Sequence, residues 1–208
     1  MILDYESAEV APDIESQVCI VGGGPAGITL ALELAKSGID VALLEGGGTT
    51  PSAESQRFYA GENIGQPYFP LDTCRLRVLG GSSTHWSGWC GPLDESDFQR
   101  KDWIPLSGWP IARSDLEEHY RTAHQYLNLG PFEYGVDHWA SEYSDFPDFE
   151  AKNLVARLIQ FSSPPVRFGT AYFNQLDTSG RIRVYLHANA TRLDLGENGQ
   201  KIGSVSIR

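Results

Sequence analysis

The spacing of apolar residues changes period along the chain, and each change marks an element. Val18-Cys19-Ile20-Val21 is a short, unbroken apolar run that stops at glycines. The stretch Ile28 to Lys36 then turns helix-like. Gly38 stands where that helix should stop, and Ile39 to Leu44 reads as a strand buried on both faces, ending in Glu45. Strand, helix and strand together predict a βαβ unit over 17–45.

From Gly46 to about Asp72 the chain is polar and punctuated by glycine and proline, which predicts an extended loop or a short helix. Ser114-Asp115-Leu116-Glu117 has capping-box spacing. It predicts a helix over 114–128 with Leu116, Tyr120, Ala123 and Leu127 on one side, closed by Gly130-Pro131. A second amphipathic stretch runs from Lys152 to Phe161 and is broken by Pro164-Pro165. After it the period falls to two. Ile182, Val184 and Leu186 alternate with polar neighbours, and so do Thr191, Leu193 and Leu195 before the turn Gly196-Glu197-Asn198-Gly199. Ile202 to Ile207 completes a hairpin, and the chain stops at Arg208 without a terminal cap, as an interrupted domain would.

Composition narrows the function classes. The 208 residues are 41% hydrophobic and 11% aromatic, enough apolar mass for a core. With 16 basic against 27 acidic side chains the formal charge is −11, which repels nucleic acid and anionic lipid; neither is expected as a partner. Three cysteines without a C-x-x-C predict neither a disulfide framework nor a metal site, and Cys19 reads as a small core residue. His119 and His124 lie five apart, on different helix faces, and so make no metal pair; they read as solvated or packed. The acidic N-terminus lacks the features of an export signal, and no segment reads as a membrane span. A cytoplasmic, reducing location is expected.

The first chemistry lies where the βαβ unit turns. Gly22 permits a tight turn, Gly24 lets the backbone approach a pyrophosphate, and Gly27 lets the helix lie close on the strand, with an anion at the helix N-terminus. Glu45 follows Gly27 by 18 residues, near where a carboxylate accepts from a ribose hydroxyl and disfavours a 2′-phosphate. A ligand-free βα turn would leave Glu45 and Gly46-Gly47-Gly48 without a purpose. This loop alone does not choose between NAD and FAD. A second glycine stretch, Leu79-Gly80-Gly81-Ser82-Ser83-Thr84-His85-Trp86, offers another backbone approach to a cofactor, and two such loops predict a flavin site.

With these residues in view, the chain resembles the N-terminal part of a glucose–methanol–choline (GMC) flavin oxidoreductase. The likeness also takes in Trp86-Ser87-Gly88-Trp89, Asp97-Phe98, the segment from Gly108-Trp109-Pro110 to Tyr120, and Ala188-Asn189-Ala190-Thr191-Arg192-Leu193. The order Ser83-Thr84-His85-Trp86 is similar to the pyranose-oxidase branch. The resemblance implies an α/β, Rossmann-like FAD-binding fold over 1–208, with a flavin loop at 75–90 and a helical insertion at about 95–165. It also implies the start of a β-rich substrate domain at about 180–208, with the C-terminal part absent. Gly80, Gly81, Ser82 and Thr84 would line the cofactor's path, and Ala190 would meet adenine through its backbone. His85 would face the dimethylbenzene ring, either bonded to the flavin 8α-methyl or beside noncovalent FAD. The implied reaction oxidises the CH–OH group of an alcohol, sugar or polyol, with the hydride passing to flavin N5. The catalytic base would belong to the missing C-terminal segment, the electron acceptor is open, and no metal is implied. Two alternatives stand beside this reading. One is a catalytically incomplete FAD-binding fragment that needs a second polypeptide; the other is a different FAD enzyme sharing only the dinucleotide fingerprint.

Overall fold

The computed structural model describes residues 1–7, 13–143, 158–196 and 198–208. Two compact units divide the chain: Met1–Trp86 with Arg167–Arg208, and Ser87–Val166.

The first unit is built on a parallel sheet. Strands β1 (Ile2–Asp4), β2 (Val18–Val21), β3 (Val41–Leu44) and β4 (Ile182–Leu186) lie in the order β1-β4-β3-β2. The run Val41-Ala42-Leu43-Leu44 is apolar at every position because β3 has a strand on each side, β2 pairing Val18 with Val41 and β4 pairing Ile182 with Val41. Helix α1 (Pro25–Lys36) begins with proline in its first turn and buries Gly27, Ile28, Ala31 and Leu32 on one stripe. It ends at Ser37, and Gly38 takes the left-handed conformation at φ +81°. Against the other sheet face, Ala42, Leu44, Tyr185 and Ala188 pack with Leu3, Tyr5, Ile14, Val205 and Ile207.

The tail divides between two sheets. β4 pairs with β1 and β3 in the parallel sheet, whereas β5 (Ala190–Leu195) and β6 (Ile202–Ile207) form the expected antiparallel hairpin. Alternation marks a strand without naming its neighbours, so the pairing of β4 was not legible. Cys19 corrects the sequence reading: it is exposed, because β2 is the edge strand of the described sheet.

The second unit carries short helices, Glu95–Phe98, Glu117–Leu127 and Val136–Glu142. The helix expected over 114–128 begins differently. A 3-10 turn at Arg113–Leu116 leads into Glu117–Leu127, and the Ala112 amide donates to Asp115 Oδ2 at 2.9 Å, so Asp115 makes the cap in place of the Ser114/Glu117 pair. Asn128, left-handed at φ 50°, ends the helix before Gly130-Pro131 is reached. Most of the amphipathic stretch from Lys152 lies outside the described residues. Among the described residues no helix is long and apolar enough to cross a membrane.

Candidate cofactor site

The C-terminal ends of β2, β3 and β4 come together in the first unit, where a parallel sheet of this kind binds its ligands. Three backbone segments meet there.

The first is the turn after β2, and its three glycines are required for different reasons. Gly22 sits at φ +104°, a conformation open to glycine at little cost. A methyl group on Gly27 would overlap the Gly22 carbonyl oxygen, so this glycine serves the approach of α1 to β2. Gly24 is neither strained nor crowded: φ is −81°, and a Cβ there would meet nothing within 4 Å. Its missing side chain keeps open a space that the protein does not fill. That is the geometry a close-lying phosphate needs, at the head of a helix whose first amides point outward.

The second segment is Leu79 to Trp86. Gly80 and Gly81 both have positive φ, +92° and +52°, and they lead into a 3-10 turn at Gly81–Thr84. This loop lies directly on the first. The Gly80 amide donates to the Gly23 carbonyl at 2.7 Å, and a Cβ on Gly81 would come within 3.2 Å of the Gly24 Cα. Ser83 is fully buried, donating through Oγ to the Gly80 carbonyl at 2.6 Å and accepting the Phe168 amide at 3.0 Å. Ser82 Oγ accepts the Leu76 amide at 3.3 Å, while Thr84 and His85 are exposed.

Glu45 and the residues after β4 form the third. Glu45 is 6% exposed, and its carboxylate spans two turns: Oε2 accepts the Gly23 amide and Oε1 the Gly47 amide, each at 2.8 Å. The residue expected to meet a ribose therefore also ties the first glycine turn to the loop after β3. Each carboxylate oxygen keeps further acceptor capacity. The Ala188 amide donates to Glu45 O at 2.9 Å and the His187 amide to Gly47 O at 3.1 Å, which brings the chain leading to Ala190 alongside.

Gly23, inside the first glycine motif, has a place in both loop contacts. Three further residues that shape this site gave no sequence signal. Arg167 donates through Nη1 to the Ser83 and Trp86 carbonyls at 2.7 and 2.6 Å. Gly169 is required because a Cβ would overlap the Leu79 carbonyl. Arg77, 9% exposed, packs its guanidinium on Gly46 and over the Phe58 ring, 4.8 Å from the centroid. Their partners are distant in sequence, so no local motif marks them. A cavity of about 350 Å³ beside the second loop is lined by Thr49, Leu79, Thr84, Gly169, Thr170, Phe173 and Asn174.

The remaining histidines have structural partners or lie outside these loops. His124 is buried in the second unit between the Gly130 carbonyl and the Tyr134 hydroxyl, both at 3.0 Å, and His187 pairs with Asp4 at 2.9 Å. His119 is exposed, and His138 lies 3.6 Å from Glu142.

Residues 17–205 match the protein family described as DAO, FAD dependent oxidoreductase. The fold is similar to that of pyridoxine 4-oxidase from Mesorbium loti, at 17% identity and a TM-score of 0.53, covering 93% of this chain and 46% of that one. Two formate oxidase structures are also similar. One, from a study of FAD modification in Aspergillus oryzae, has 15% identity and a TM-score of 0.47, covering 93% of this chain and 43% of that one. The other has 16% identity and a TM-score of 0.49, covering 92% and 42%. No curated protein matches the chain. This chain thus spans less than half the length of each of these solved proteins.

Proposed function

This chain belongs to the FAD-dependent oxidoreductase family, has an FAD-binding fold of GMC type and takes FAD as its cofactor, and from that premise we propose that it serves the oxidation of an alcohol, sugar or polyol at a CH–OH group. Bound FAD supplies the hydride acceptor, at its N5 atom. The carbon becomes a carbonyl, and the hydroxyl proton passes to a base.

The chain's own residues hold and orient. Gly22 and Gly24 leave open space for the diphosphate, Gly23 braces the turn through Glu45, and Gly80, Gly81 and Ser82 would face the diphosphate from the second loop. Glu45 accepts from the ribose while it braces the turn. Ala190 meets the adenine through its backbone. Thr84 and His85, both exposed, would stand at the flavin end, where His85 would touch the ring or bond with it. Gly27 acts indirectly, by letting α1 approach. No catalytic base is assigned to this chain.

One observation carries the reading: two glycine loops, far apart in sequence, are hydrogen-bonded to each other through Gly80 and Gly23 beside an uncrowded Gly24. The test is anaerobic mixing of the FAD-loaded protein with a panel of sugars, polyols and simple alcohols, watching the flavin colour. Bleaching by one of these donors supports the proposal. Bleaching only by NADH or NADPH would replace it with another flavin chemistry. Stable yellow colour with every donor would leave an FAD-binding unit whose turnover needs a second polypeptide.

A further inference from the structure

We propose that Arg167 is the positioning residue for the flavin end of the site, locking the Ser83–Trp86 turn and thereby setting how His85 is presented to the cofactor. The inference rests on the FAD reading above and adds a residue that no glycine motif marks.

Gly81–Thr84 is a single 3-10 turn, too short to hold itself, and its exit is held by the His85 and Trp86 amides, which both donate to the Ser82 carbonyl at 3.2 and 3.1 Å. Arg167 adds a charged clamp to these neutral bonds. Nη1 donates to Ser83 O at 2.7 Å and to Trp86 O at 2.6 Å, so one charged group grips the backbone on either side of Thr84 and His85. Both exposed residues lie between the two gripped carbonyls.

The neighbours of Arg167 reinforce the grip without replacing it. The Phe168 amide donates to Ser83 Oγ at 3.0 Å, the Phe168 ring meets the Trp86 ring edge-on at 5.9 Å, and Gly169 lies against the Leu79 carbonyl. The backbone contacts of 168 and 169 fall on the part of the loop before Thr84. Arg167 adds a charged link to its far side, at the Trp86 carbonyl, beside the bonds of the His85 and Trp86 amides to Ser82 O. Losing it should loosen the His85 end, leaving it only the neutral bonds to Ser82 O, while Gly80 and Gly81 stay on the first glycine turn.

Four variants of the full chain test this: Arg167→Met, Arg167→Lys, His85→Ala and the double variant Arg167→Met with His85→Ala. Without FAD, amide hydrogen exchange at residues 84–87 should rise roughly tenfold in Arg167→Met, the loss expected for a charged hydrogen bond, with the amides of β3 and β4 unchanged. Arg167→Lys, which keeps a cationic donor, should recover part of that protection. With saturating FAD, Arg167→Met should alter the visible flavin band as His85→Ala does, and the double variant should add nothing further. Wild-type exchange at 84–87 in Arg167→Met would overturn the proposal. So would an additive spectral effect in the double variant, because Arg167 would then act on the flavin without passing through His85. Should the wild-type chain bind no FAD, the cofactor reading fails, and the exchange contrast alone decides whether Arg167 holds the turn.

Discussion

Gly24 and Glu45 show how much one residue can carry in this site. The carboxylate of Glu45 is buried, yet both its oxygens take backbone amides, from Gly23 and Gly47, so burial is balanced by charge-assisted hydrogen bonds. Gly24 works by what it lacks. Its backbone suits any residue and its surroundings are open, so Gly24→Ala should cost less than about 1 kcal/mol of stability. The same change should weaken FAD binding by tenfold or more if a phosphate occupies that space, measured by titrating FAD against a variant whose thermal melt matches wild type. The sequence pointed to both residues because their chemistry is local: an acid at a strand's end and glycines at a fixed spacing. Arg167 and Gly169 were not legible, since each acts on a carbonyl some eighty residues away.

Elements obey the same division. β2, α1 and β3 follow one another in sequence and in space, and their periods are strong, so the expected unit over 17–45 is close to what forms. Gly27 sets the spacing of α1 against the turn after β2. Gly27→Ala should lower stability by roughly 1–3 kcal/mol through overpacking, seen as a reduced unfolding midpoint in urea, in contrast to the near-silent change at Gly24. β1 and β4 are another matter. β1 is three residues long and carries no period, and β4 pairs with a strand at the opposite end of the chain. In the second unit, burial pushes the Tyr134 phenol up to about 12, with the Cys90 thiolate adding to the effect, and its hydroxyl meets His124 and the Cys90 carbonyl. A raised phenol keeps its proton in the folded state after the unfolded chain has lost it. Its contribution to stability is therefore complete below about pH 10 and lost as pH rises toward 12. Tyr134→Phe should remove that loss, flattening the fall in melting temperature between those pH values relative to wild type.

At the scale of the whole chain, the family uses FAD, and the fold is built on a parallel sheet, the kind that binds dinucleotides at the C-terminal ends of its strands. The substrate was never legible in these residues. Specificity for a substrate belongs to a pocket wall and its catalytic groups, and neither is marked by the two glycine loops. The cofactor is different, because its proposed site is made of backbone that the chain itself supplies. One measurement tests that claim most directly: equilibrium titration of the purified, folded chain with FAD and, in parallel, with FMN, which lacks the adenosine half. The account predicts saturable binding of one FAD per chain with a perturbed flavin spectrum, much tighter than FMN and weakened in Gly24→Ala. A cooperatively folded chain that leaves FAD free, or that binds FMN equally well, would contradict it.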